Sequence, residues 1–134
     1  MKFLLVTTNR EMTPIPVLPL GACLVASSLS ETHRHEVRVL DLLFSRDPAG
    51  DLRRTLAAYR PEVVGLSIRN IDNVDYLTPV FYFEELENMV MAPLKAYGDA
   101  LVVAGGPGFS IEPESILRAL GIRFGVPCTP ASLH

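Results

Sequence analysis

The sequence predicts a doubly wound α/β fold with five parallel strands in the order 2-1-3-4-5 and helices on both faces. Three observations carry this. Short apolar runs alternate five times with helix-patterned segments, the last helix missing or frayed, as a parallel sheet requires. The runs are near-continuous, such as Phe3-Leu4-Leu5-Val6 and Leu101-Val102-Val103-Ala104, which suits strands covered on both faces. The 134 residues suit one domain, large enough to bury about two-thirds of its unfolded surface. Right-handed crossovers then give the flavodoxin-like order.

The first strand is Lys2–Thr7. A long loop follows, Thr8–Val17, kept extended by Pro14 and Pro16. It exceeds the usual βα loop of about 2–6 residues, which favours a functional role. Pro19-Leu20-Gly21 opens a helix to about Thr32. Its small residues Gly21, Ala22, Ala26, Ser27 and Ser28 serve either tight packing on the sheet or a close ligand. His35–Asp41 is the second strand, and Asp51–Tyr59 a helix with Leu52, Leu56 and Tyr59 on one face. Glu62–Ile68 is the third strand. A second long loop, Asn70–Pro79, leads to a helix from Val80 to Tyr97 patterned by Phe83, Leu86, Val90, Leu94 and Tyr97, with Pro93 kinking or restarting it.

The fourth strand stops at Gly105-Gly106, turns, and starts a helix at Pro113–Leu120, ended by Gly121. The two glycines leave bare backbone where a ligand can approach. The stretch is either such a site or an ordinary βα turn. Ile122–Val126 is the fifth strand. The domain spans residues 1–126, and 127–134 is a loose tail. In such folds ligands bind outside the carboxyl ends of the strands, the edge that both long loops and the glycine pair share.

Net charge is −3 and no basic run stands out, so nucleic acid is not an expected partner. No apolar run approaches the roughly 20 residues that span a bilayer, and the start is too short for a signal peptide, so a cytoplasmic location is the default. Cys23 and Cys128 form no Cys-x-x-Cys pair and hence no zinc or iron–sulfur motif. Cys23 reads as a buried small hydrophobe and Cys128 as a free tail thiol. No Gly-x-x-x-x-Gly-Lys-Ser/Thr phosphate loop is present. The Gly-x-Gly-x-x-Gly of a dinucleotide site is missing after the first strand, although Asp41 ends the second where a ribose would sit. The strand ends also lack the acids of a phosphotransfer receiver. His33 and His35 read as a solvated turn at the amino edge, roughly 20 Å from the carboxyl edge. No complete catalytic constellation is visible.

Four motifs in order, Pro19-Leu20-Gly21, His35-Glu-Val-Arg-Val-Leu-Asp41, Val64-Gly-Leu-Ser67 and Val103-Ala-Gly-Gly-Pro107 with Pro113-Glu114, resemble the cobalamin-binding domain at the amino end of many radical S-adenosylmethionine enzymes. The resemblance covers roughly residues 1–126. It implies that the corrin lies on the carboxyl edge and that the nucleotide tail enters a groove between the sheet and its flanking helices. Ser67 would bond the tail, and Gly105 and Gly106, followed by Pro107, would give it room. The loop from Thr8 and Asn9 to Leu20 and Gly21, and the loop opening with Arg69 and Asn70, would meet the corrin. The Asp-x-His-x-x-Gly of other cobalamin domains is replaced by Thr7-Thr8-Asn9-Arg10-Glu11-Met12, so bound cobalamin would lack a histidine lower ligand. The radical domain's Cys-x-x-x-Cys-x-x-Cys, which would carry an iron–sulfur cluster, is also absent. The chain therefore reads as a fragment, an excised domain or a stand-alone relative, not catalytic alone, with a C-terminal radical domain as an expected partner. The alternative is a degenerate, cofactor-free domain serving as an interaction or dimerisation module, with Phe81, Tyr82 and Phe83 as exposed aromatics. A third reading is a nucleotide or small-molecule sensor using the same edge.

Overall fold

The computed structural model describes residues 1–10, 19–32, 34–69 and 83–127, Leu20 and Phe83 by backbone alone. Most of the first long loop, His33, Asn70 and the second long loop through Tyr82, and Cys128 with the tail lie outside the described residues. The strands are β1 (Lys2–Thr7), β2 (Glu36–Asp41), β3 (Val63–Ser67), β4 (Leu101–Gly105) and β5 (Phe124–Val126). They form one sheet in the order 2-1-3-4-5 with every pair parallel. The helices are α1 (Leu20–Glu31), α2 (Pro48–Tyr59), α3 (Phe83–Leu86), a π turn (Glu87–Met91), α4 (Ala92–Tyr97), α5 (Pro107–Ile111) and α6 (Pro113–Leu120).

Register partners in a parallel sheet share a face. Leu4, Val64 and Val102 form one row and Val6, Leu66 and Ala104 the next. These pack with Leu52, Leu56 and Tyr59 of α2, Val90 of the π turn, Leu94 of α4 and Ile116 of α6 in one core cluster. α1 has no residue in that cluster and packs instead on β1 and β2.

α2 begins three residues earlier than its apolar spacing suggests. Pro48 takes a first-turn position and the Asp47 carboxylate caps the Gly50 N–H at 3.1 Å, a local signal independent of periodicity. The Ser45 hydroxyl and the Arg54 guanidinium bond the first-turn Asp51 and hold its carboxyl below the usual range. Pro93 does not break the third helical segment. It has no N–H to give and its ring excludes the carbonyl four residues back. The turn before it is widened instead, with Ala92 N–H donating to Glu87 O. Gly98, at φ 74°, ends the segment in the left-handed region.

Four expectations need correction. β4 is not covered on both faces: Leu101 is 48% exposed and only Ala104 is buried. α1 is not tightly packed, since Ala22 alone of its described side chains is buried while Leu24 and Val25 are exposed. Cys23 on the same helix is exposed rather than buried. His35 is not in a solvated turn: its ring stands edge-on to Phe3 at 5.0 Å and its Nδ1 is buried without a partner. In the first three cases helix α1 or its face of the sheet is barer than an apolar pattern implies.

Candidate functional site

The carboxyl edge is built from five strand ends in register. Asp41, Thr7, Ser67, Gly105 and Val126 form the last row across the sheet. They lie on the face opposite the core cluster, the face on which α1 packs. Below them run Val39, Leu5, Gly65, Val103 and Phe124.

The polar groups of this edge are stitched to each other. Thr7 Oγ1 donates to Asp41 Oδ1 at 2.7 Å, and the Leu43 N–H donates to the same oxygen at 3.1 Å. Asp41, placed where a dinucleotide domain would hold a ribose, is thus committed to its own loop. Thr8 is buried, and both its N–H and its hydroxyl donate to Ser67 O, at 3.2 and 3.1 Å. Arg10 reaches back to donate to Leu42 O and to Ser45 O at 2.6 Å. The Ser67 hydroxyl itself makes no hydrogen bond among the described residues.

The two glycines after β4 do different work. Gly106 has φ 101°, and a Cβ there would lie 2.6 Å from Ile68 O and 2.8 Å from Ile68 N. Its missing side chain admits the β3 end, where Ile68 N–H donates to Gly105 O and Gly108 N–H to Ile68 O, both at 2.8 Å. Among the described residues a Cβ on Gly105 would meet only Val126 O, at 3.5 Å, an ordinary contact. Pro107 is exposed and begins α5, a helix that no apolar spacing announces in five residues. Phe109 of α5 is wholly buried beneath β5, and a Cβ on Gly125 would overlap its ring.

Ser67, Thr8, Gly105 and Gly106 therefore come together. Asn9 follows Thr8 and is partly buried, and Arg69 is exposed two residues past Ser67. Gly21 sits in the first turn of α1 with nothing within 4 Å of a built Cβ. Leu20 opens that helix, and Asn70 lies outside the described residues. The chemistry present is hydroxyls, backbone amides and bare backbone. Among the described residues no group of His, Cys, Asp and Glu is placed to hold a metal ion.

The B12 binding domain family model matches residues 13–127, most of the chain, which takes in every helix and β2 to β5. The chain belongs to the B12-binding domain family. This B12-binding domain is 36% identical over 122 residues to tryptophan 2-C-methyltransferase of Streptomyces laurentii, covering 88% of the chain and 20% of that protein. It superposes with a TM-score of 0.82 and 32% identity on the radical S-adenosylmethionine methyltransferase TsrM of Kitasatospora setae with tryptophan substrate and an S-adenosylmethionine analogue bound, covering 98% of the chain and 24% of that enzyme. The same enzyme with cobalamin and a [4Fe-4S] cluster bound gives 0.81 at 33% identity. The cobalamin-dependent radical enzyme OxsB shares the fold, with a TM-score of 0.64 at 21% identity. The B12-binding domain thus spans about a fifth to a quarter of the length of these two methyltransferases.

Proposed function

We propose that this domain holds cobalamin with the corrin over the carboxyl edge of the sheet and the nucleotide tail lying along the α1 face. The observation that carries this is the row Thr7–Ser67–Gly105. It offers one hydroxyl with no partner among the described residues, at Ser67, beside a position with no side chain, at Gly105. The Ser67 hydroxyl hydrogen-bonds the tail, and Gly105 gives it room. Gly21, Val25 and Ser28 share one flank of α1 by their helical spacing. In a right-handed β1–α1–β2 crossover that flank is the one toward β3, so it forms the opposite wall. Asn9 and Arg69 leave the two strand ends toward the corrin. No histidine follows β1, so this loop would offer a bound cobalamin no histidine. Bound cobalamin would supply a cobalt-carried methyl group or radical chemistry to a larger radical S-adenosylmethionine methyltransferase, with the domain acting as its cofactor holder rather than its catalyst.

The test is retention of hydroxocobalamin through gel filtration, read by corrin absorbance. Wild-type protein should co-elute with corrin. Ser67→Ala should weaken the dissociation constant by about fivefold, the worth of one hydrogen bond of roughly 1 kcal/mol. Absence of corrin from the wild-type peak would sink the proposal. A second reading, a cofactor-free interaction module, draws on the exposed Leu101, Phe124 and Val126 of the same sheet face. It predicts no retained corrin and a dimer by light scattering.

A further inference from the structure

Arg10 lies three residues beyond β1, in the stretch where other cobalamin domains carry their metal-ligating histidine, and its partners are not a ligand's. Its guanidinium donates to two backbone carbonyls of the β2–α2 loop, Leu42 O and Ser45 O. Its Nε stands 3.9 Å from the Glu85 carboxylate of α3. The side chain is 30% exposed, so this is an arginine folded down onto the protein. Leu42 is fully buried, and its own N–H donates to Thr7 O at 3.2 Å. One side of the β1 end is thus sewn to the β2–α2 loop by Thr7 and Arg10. The other side is sewn to β3 by Thr8, which gives both its donors to Ser67 O.

Thr8 and Asn9 lie between these two anchors, and Ser67 is Thr8's partner. We infer that Arg10 is a positioning residue for cobalamin: it fixes the path of Thr8 and Asn9 at the carboxyl edge without touching the ligand. This rests on the cobalamin reading above. A guanidinium suits the task, because it is planar and always charged, and its Nη1 alone serves both carbonyls. The Glu85 contact is long and half exposed, and contributes little. The two carbonyl bonds hold the loop.

The experiment compares hydroxocobalamin dissociation constants for the whole chain as wild type, Arg10→Ala and Arg54→Ala. Arg54 is an exposed arginine that pairs with Asp47 and Asp51 at the start of α2 rather than with the Leu42 and Ser45 carbonyls, and serves as control. Arg10→Ala should bind at least about tenfold more weakly, in line with two lost charge-assisted bonds. Methylguanidinium in the buffer should recover most of that loss. Amide-exchange protection in β1, β3 and α2 should stay as in wild type, and Arg54→Ala should bind within twofold. If Arg10→Ala fails to fold, Arg10→Lys carries the same comparison and should show a partial loss. Wild-type-like affinity in the Arg10 variant overturns the positioning role and leaves the cobalamin reading intact. Loss of affinity that methylguanidinium does not restore, with exchange protection lost across the sheet, also overturns it. Failure of the wild type to bind hydroxocobalamin defeats the cobalamin reading itself, and the role with it.

Discussion

Gly105 and Gly106 are adjacent and chemically identical, yet substitution should separate them. Gly106→Ala puts a Cβ against Ile68 backbone at a left-handed φ, and backbone cannot step aside. It should destabilise by about 3 kcal/mol, read by urea unfolding. Gly105→Ala meets an ordinary contact and should cost less than about 1 kcal/mol, while lowering cobalamin retention. Tyr59 gives a second residue-scale prediction. It is 2% exposed, its hydroxyl has no partner, and Arg38 stacks on its ring at 4.4 Å. Removing an unpaired buried hydroxyl helps, so Tyr59→Phe should stabilise by about 1 kcal/mol, a rise of roughly 3 °C in Tm. Burial, with Glu36 nearby, raises the Tyr59 pKa. The unfolded chain therefore loses this proton first, and wild-type stability falls as pH climbs from about 10 through the raised folded value. Thermal melts across that range should show the gap between wild type and Tyr59→Phe widening. At this scale the sequence was partly legible. The glycine pair stood out because two glycines at a strand end are rare punctuation, whereas Ser67 was singled out only through the family resemblance. Arg10 was not, because its partners are carbonyls, which every residue has.

Elements differ in how much they bury. α2 places Leu52, Leu56 and Tyr59 in the core, whereas among the described side chains of α1 only Ala22 is buried. Local opening is easiest where few apolar contacts are lost. Amides of α1 should therefore exchange at least about tenfold faster than those of α2 by native-state hydrogen exchange, and equal protection would contradict the packing described. The spacing of α2 and of Leu86, Val90 and Leu94 was readable, since those side chains meet the core at helical period. The π turn before Pro93 was readable as trouble but not as its remedy. α5 was invisible, because its five residues are held by β3 carbonyl contacts and by Phe109 seated over Gly125, neither of which leaves a periodic trace.

The whole molecule has a sheet with two unlike faces. One is sealed by α2, α4 and α6, and the other is covered by α1 over β1 and β2. Strand order was legible from alternation and handedness alone. The bareness of the second face was not, because a run such as Leu101–Ala104 looks the same whether one side or both are covered. Phe124, 48% exposed, and Val126, 68% exposed, bind little protein. Phe124→Lys with Val126→Lys should move the melting temperature by only a few degrees and should reduce binding of an apolar dye such as ANS. A large loss of stability would mean that the face is covered.

This asymmetry has a consequence for how the domain can change over generations. Substitutions on the sealed face are filtered by folding, so they are tolerated only when volume is conserved. Those on the barer face escape that filter and answer to whatever lies against it. Inherited variation should therefore split by strand parity: alternate residues of one strand would record folding constraint, and those between them would record the history of the ligand or neighbour.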